Sequence, residues 1–185
     1  MRMKKTICLC AVLAILASLL CQMTYAYFTV TLTADNAIST GGIGILVQEV
    51  TADGKVVAPT VSVMPGQMAS RIVTVRNLEE EAFVRMWVDV TAKDGKGQPV
   101  KLADNMLIVD YDTESWTLKD GAWYYKESLQ KDQTTKPLFT GVAVDFDNIS
   151  NELQSASVTV NVRAEATQAA NNGTDPLKAA GWPKP

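Results

Sequence analysis

No histidine occurs among the 185 residues, and none of the three cysteines lies beyond position 21. Each absence removes a class of chemistry. Without histidine there is no His-Glu-x-x-His zinc site and no base for a Ser/His/Asp arrangement. Cys8, Cys10 and Cys21 all fall inside an export signal, so the processed chain has no thiol nucleophile, thiolate metal site or disulfide framework. It must hold together by burying apolar surface. Positive charge is also scarce: the signal takes three of the 17 Lys and Arg and none of the 20 Asp and Glu, moving the formal net charge from -3 to -6. Nucleic acid and anionic lipid, which are bound through clustered Lys and Arg, are therefore poor partners. Helix signals are few; Asp175 to Ala180 is the best short candidate, and Asp104 to Leu107 amounts to one turn at most.

One long apolar run is present, from Ile7 to Cys21, after the basic residues Arg2, Lys4 and Lys5 and before the small residues Thr24 and Ala26. This is the three-part layout of a secretory signal, and it predicts cleavage between Ala26 and Tyr27. The run is shorter than the ~20 residues a membrane-spanning helix needs, so contact with a membrane is expected only through the uncleaved signal. Leu20 before Cys21 does not suit lipid attachment. The predicted organisation is a signal peptide over residues 1–26, one domain over 27–168 and a loosely packed tail over 169–185 that contains Asn171-Asn172-Gly173 and Pro183-Lys184-Pro185. The product is expected to be secreted.

Past the junction, two-residue alternation dominates. From Ala82 to Ala92 it predicts Ala82, Val84, Met86, Val88 and Val90 inward, with Arg85, Asp89 and Thr91 outward and Trp87 breaking the polar face. Ser157 to Ala166 repeats the pattern, with Val158, Val160, Val162 and Ala164 on one side. Further strands are predicted at Tyr27 to Thr33, Ile43 to Val50, Val56 to Val63, Arg71 to Arg76, Met106 to Tyr111, Ala122 to Lys126 and Leu138 to Phe146. Turn signals separate them at Asp53-Gly54, Pro65-Gly66, Asp94-Gly95-Lys96-Gly97 and Asp120-Gly121. Such a series of short strands predicts an all-β fold, an antiparallel β-sandwich or jelly roll.

The segment Tyr27-Phe28-Thr29-Val30-Thr31-Leu32-Thr33 carries no charge, no Pro and no Gly. That composition pairs readily with a free sheet edge, in its own domain or in another molecule's. Strand propensity alone leaves both pairings open. Elsewhere, Asp110, Asp112 and Glu114 form a weak calcium candidate, since the glycine and distant glutamate of a calcium loop are missing. Asp145, Asp147 and Asn148 make a second acidic cluster of the same kind. Trp123, Tyr124 and Tyr125, with Trp116, are candidates for a surface binding patch or for hairpin packing onto the core. Gly41-Gly42-Ile43-Gly44 lacks the third glycine of a dinucleotide loop, where Val47 stands, and no carboxylate spacing singles out a glycosidase pair. No catalytic residue and no cofactor is predicted.

These segments also carry a resemblance. Thr24-Tyr25-Ala26 followed by Tyr27-Phe28-Thr29, then Ser39-Thr40-Gly41-Gly42, Pro65-Gly66, Val73-Thr74-Val75-Arg76-Asn77, Phe83-Val84-Arg85, Asp120-Gly121-Ala122-Trp123-Tyr124-Tyr125-Lys126 and Pro137-Leu138-Phe139-Thr140 occur in the order found in a known group. The chain resembles the secreted proteins of Gram-positive bacteria that bear a SipW-type signal, the TasA and camelysin family of biofilm matrix proteins. The resemblance implies a jelly roll, processing by a SipW-type signal peptidase, and assembly with further copies or a related fibre subunit by donation of the N-terminal strand. Thr29 and Val30 depart from the Ser/Asn and Asp that the family commonly has after the aromatic pair, which makes this strand more apolar. The metallopeptidase label of camelysin relatives has no residue here to bear it.

Overall fold

A computed structural model describes residues 28–35, 43–56, 60–63, 68–102, 106–145 and 157–182. The signal, the cleavage junction at Thr24, Ala26 and Tyr27, the Pro65-Gly66 turn and Asp147-Asn148 lie outside the described residues. Twelve strands and no helix occur among them: β1 (Phe28–Asp35), β2 (Ile45–Val50), β3 (Thr60–Val63), β4 (Met68–Ser70), β5 (Ile72–Asn77), β6 (Ala82–Lys93), β7 (Pro99–Val100), β8 (Leu107–Val109), β9 (Trp116–Lys119), β10 (Ala122–Tyr125), β11 (Gly141–Val144) and β12 (Ser157–Gln168). The protein is all-β, as the alternation requires.

The largest sheet runs β3-β1-β12-β6-β10-β9, with β7 against the far end of β6. Its spine is the antiparallel β12–β6 pair, in register from Ser157 opposite Lys93 to Gln168 opposite Ala82. These are the two segments with the clearest alternation, and their inward positions are filled as expected: Val158, Val160, Ala164, Ala82, Val84 and Met86 are fully buried. Val90 departs from the pattern, being 39% exposed where alternation points it inward.

Two smaller sheets, β4-β11-β8 and β2-β5, supply the rest of the core. Main-chain bonds join them: Val73 N–H donates to Phe139 O (3.2 Å), Leu138 N–H to Val73 O (2.9 Å), and Asp112 N–H to Leu138 O (2.9 Å). Ile45, Val47, Val73, Val75, Leu138, Phe139 and Val142 thereby join the inward residues of β6 and β12 in one apolar cluster. This core holds the described residues together without disulfides, since no cysteine lies beyond Cys21.

The 169–182 segment is not the loose end expected from its composition. Asp175 caps a single turn over 176–178, donated to by Leu177 N–H at its carboxylate (3.0 Å) and by Lys178 N–H at its carbonyl (3.0 Å). The predicted helix stops there because Ala180 N–H is taken by the Asn172 side chain (2.9 Å) instead of continuing the turn. Trp182 then lies edge-on to Tyr124, with ring centroids 5.5 Å apart.

Three short strands escaped the alternation reading: β4, β7 and β9. β9 precedes Asp120 and Gly121, whose φ angles of 51° and 79° make the tight hairpin turn that suits right-twisted strands. Trp116-Thr117-Leu118-Lys119 is too short to show a period.

Candidate functional site

The N-terminal strand is built into the large sheet beside the last strand of the domain. β1 pairs in parallel with β12, from Thr29 opposite Ser157 to Asp35 opposite Arg163. On its other side it pairs antiparallel with β3, from Phe28 opposite Val63 to Thr31 opposite Thr60. In the single chain the strand therefore adopts the self-paired arrangement. The β1–β12 ladder is the one parallel pairing among the described strands, a departure from the antiparallel expectation. Its cause is topological: the first and last strands run the same way, and a parallel pair needs a long crossover, here the whole intervening domain.

The seat of β1 is defined by its neighbours. Val30, Leu32 and Ala34 stand in register with Val158, Val160 and Val162, each at most 1% exposed. Without β1, β12 would present this buried row next to an unpaired edge, and β3 would lose its only strand partner among the described residues. Sequence reading identified the strand but not its seat, because alternation shows which residues share a face and says nothing about which strand lies alongside.

Trp123, Tyr124 and Tyr125 do not form a surface patch. Their exposures are 9%, 8% and 5%. Trp123 stacks on Tyr111 (4.5 Å between centroids), Tyr125 packs against Trp116 (5.0 Å), and Tyr124 lies against Trp182. Trp123 and Tyr125 bury their rings in the core and Tyr124 buries its ring under Trp182 on the opposite face, so none of the three is left as a platform for sugar stacking. A half-buried aromatic on the outer face is Trp87, with the Arg163 guanidinium 4.0 Å and the Arg85 guanidinium 4.6 Å from its ring centroid. Glu165 accepts from both arginines, at 2.7 and 2.5 Å, and Arg85 also lies 4.7 Å from the Trp182 ring centre. This ladder ties β6, β12 and the tail together.

The acidic candidates serve the backbone. Asp110 accepts from Thr140 N–H (2.8 Å), Gly141 N–H (2.7 Å) and the Thr140 hydroxyl, fastening the end of β8 to β11. Asp112 caps the following turn through Glu114 N–H and Ser115 N–H (2.9 and 3.1 Å). Among the described residues no three His, Cys, Asp or Glu side chains converge to hold a metal ion. Burial works to raise the Asp110 carboxyl, but bonds from the Thr140 hydroxyl and the Gly141 and Thr140 amides outweigh it and hold the group below its ordinary value. Because the folded value is depressed, this stabilisation is present above the unfolded value of about 3.9 and is lost as pH falls through the folded one. Asp110→Asn should cost about 1 kcal/mol at neutral pH, the lower part of the range because the carboxylate is exposed. Denaturant titration should show that difference shrinking as the pH approaches 3, whereas a pH-independent loss would mean that packing rather than charge holds the junction.

No known protein family and no curated protein matches the sequence. Among the described residues no helix is long and apolar enough to cross a membrane.

Proposed function

We propose that this protein is a secreted structural subunit of an extracellular matrix or cell-surface fibre, and that protomers link by exchanging β1. The observation that carries this reading is the seat of β1. The chain's first strand is held between β12 and β3 through main-chain ladders on both sides, and residues 36–42 separate it from the remainder of the domain. Such a strand can leave its seat and be replaced by the same strand of a neighbour without altering a single contact type. Signal cleavage before Tyr27 would release its leading end. A strand passed to the next molecule gives a head-to-tail contact, which need not close and so extends into a filament. Within this reading the large sheet and the joined smaller sheets are the two layers of a sandwich of jelly-roll type, and the processing partner is a SipW-type signal peptidase of a Gram-positive bacterium. Burial of the aromatic hairpin counts against the alternative of a monomeric secreted surface domain that binds polysaccharide or protein through that hairpin. The missing histidine and thiol count against a peptidase.

The register supplies a direct test, since the processed chain has no cysteine of its own. Thr31→Cys and Thr159→Cys place thiols at paired positions on β1 and β12. Oxidation of secreted material should yield a ladder of disulfide-linked multimers under denaturing electrophoresis, with filaments visible by electron microscopy. A product consisting only of internally closed monomer at every concentration would overturn the subunit reading.

A further inference from the structure

β6 is paired along its full length on one side, by β12, but only near its ends on the other. There β10 meets Arg85 and Met86, and β7 meets Ala92 and Lys93. Between them, Trp87 to Thr91 face no strand among the described residues. Hydrogen bonding alternates from side to side along a strand. Ala82 exchanges both its bonds with Leu129 on this side (3.0 and 2.8 Å), so the even-numbered residues Val88 and Val90 direct their N–H and C=O groups into the gap.

Beside the gap lies a cleft of about 560 Å³ with Val90, Ala92, Val100, Leu102, Leu107 and Val109 in its walls. Among the described residues that line it, Lys101 is the one with a charge. Apolar positions are thus laid out as for a core, yet Val90 stays 39% exposed while Val160, its partner on β12, is fully buried. Natural sheet edges are usually blunted by charged side chains, above all lysine, by proline or by a bulge. Trp87 to Thr91 contain no lysine or proline; their one charge, Asp89, falls by alternation on the face opposite Val88 and Val90, and the β12 register runs past them without interruption. An open main-chain edge beside an apolar trough is what strand addition requires: backbone bonds for affinity and pockets for alternate side chains.

We propose that this gap is a second seat for an extended strand, and that its occupant is the segment Tyr27 to Asp35 of another copy. The proposal rests on the reading of β1 as an exchangeable strand. Charge and length favour this occupant. The segment is uncharged from Tyr27 to Ala34 and ends in Asp35, which complements Lys101, the charge that the described residues bring to the cleft. β1 spans eight residues, enough to cover the window from Trp87 to Thr91. The two seats flank the β12–β6 pair, one on the outer edge of each strand. A strand in a neighbour's first seat joins protomers end to end and one in a second seat joins them side by side; each copy has one such strand, so the two contacts are alternatives for any given donor.

The test is amide hydrogen exchange, read by mass spectrometry, on the secreted chain with added synthetic peptide of sequence Tyr27 to Asp35. The first seat is then filled by the chain's own strand, so the peptide should slow exchange at Val88 and Val90 by about fivefold or more, as expected for amides newly engaged in a ladder. Val90→Lys, at a position already exposed, should leave the melting temperature nearly unchanged and abolish the slowing. Protection that appears only at Ser157 to Arg163 would overturn the second seat while leaving the fibre reading intact. A failure to protect either region at millimolar peptide would overturn it too, with the cysteine pairing above as the separate check on fibre formation. Equal protection by a scrambled peptide would overturn the choice of occupant.

Discussion

A chain shortened to begin at Asn36 should form no filaments and should lose most of its cooperative unfolding transition. β1 contributes a ladder on each side, in register with β12 from Thr29 to Asp35 and with β3 from Phe28 to Thr31. At about 1 kcal/mol net per hydrogen bond, and after allowing for the entropy of ordering the strand, its removal costs on the order of 5 kcal/mol, most of the stability of a typical domain. The damage reaches beyond lost bonds. Val158, Val160 and Val162 would lie at the brink of an unpaired edge, and β3 would lose the strand that holds it in the sheet.

Supplying the segment Tyr27 to Asp35 as a separate peptide should restore the transition, since the seat is complementary to a strand and is indifferent to which chain carries it. A peptide with Leu32→Asp, at the register position opposite Val160, should fail to do so. Calorimetry of the shortened chain with each peptide checks both statements. If the shortened chain melted at the same temperature as the longer one, β1 would be an appendage, and exchange would have no stabilisation to draw on.

Much of this arrangement is legible in the residues, and the boundary has a physical explanation. Where one face of a strand is buried and the other wet, the period of two is written into the sequence. β6 and β12 could be placed and oriented from alternation for that reason, and their buried rows follow it up to Val88. β1 is legible through the absence of charge up to Ala34 and through its β-branched content. What alternation cannot carry is adjacency: nothing in Thr29 to Asp35 specifies a parallel seat beside Ser157 to Arg163. The aromatic hairpin misled for a related reason, since Trp123, Tyr124 and Tyr125 in a row show no period: Trp123 and Tyr125 pack into the core beside Tyr111 and Trp116, while Tyr124, on the opposite face, is buried because Trp182 covers it. Val90 shows the converse failure, an inward position on a strand that has no neighbour on that side among the described residues.

Glu49→Ala should be the most destabilising single change to a charged residue, costing about 3–5 kcal/mol. Arg71 follows β4 directly, on the buried side of the alternation that continues through Val73 and Val75, and its side chain has no exposure at all. One bond compensates it, from Arg71 Nη2 to Glu49 Oε2 at 2.6 Å, and the Glu49 side chain is itself only 11% exposed. Arg71 Nε and Nη1 and Glu49 Oε1 have no hydrogen-bond partner among the described residues. Burial lowers the pKa of Arg71, while the bond and charge of Glu49 act to raise it. The guanidinium nevertheless stays charged at any pH the protein would meet, so removing Glu49 strands a buried cation that cannot escape by neutralising. Arg71→Met should cost less, because a carboxyl can take up a proton where a guanidinium cannot lose one. Replacing both, Arg71→Met with Glu49→Leu, should recover stability to the native level or exceed it, as expected when a poorly compensated ion pair gives way to apolar packing. With Glu49→Leu as the matching single change, the wild type, the two single variants and the double form a double-mutant cycle measurable by denaturant unfolding, with a coupling energy that favours the pair even though the pair adds no net stability. If Glu49→Ala cost no more than Arg71→Met, Arg71 would have water to rely on, and the buried pair would have to be regarded as solvated.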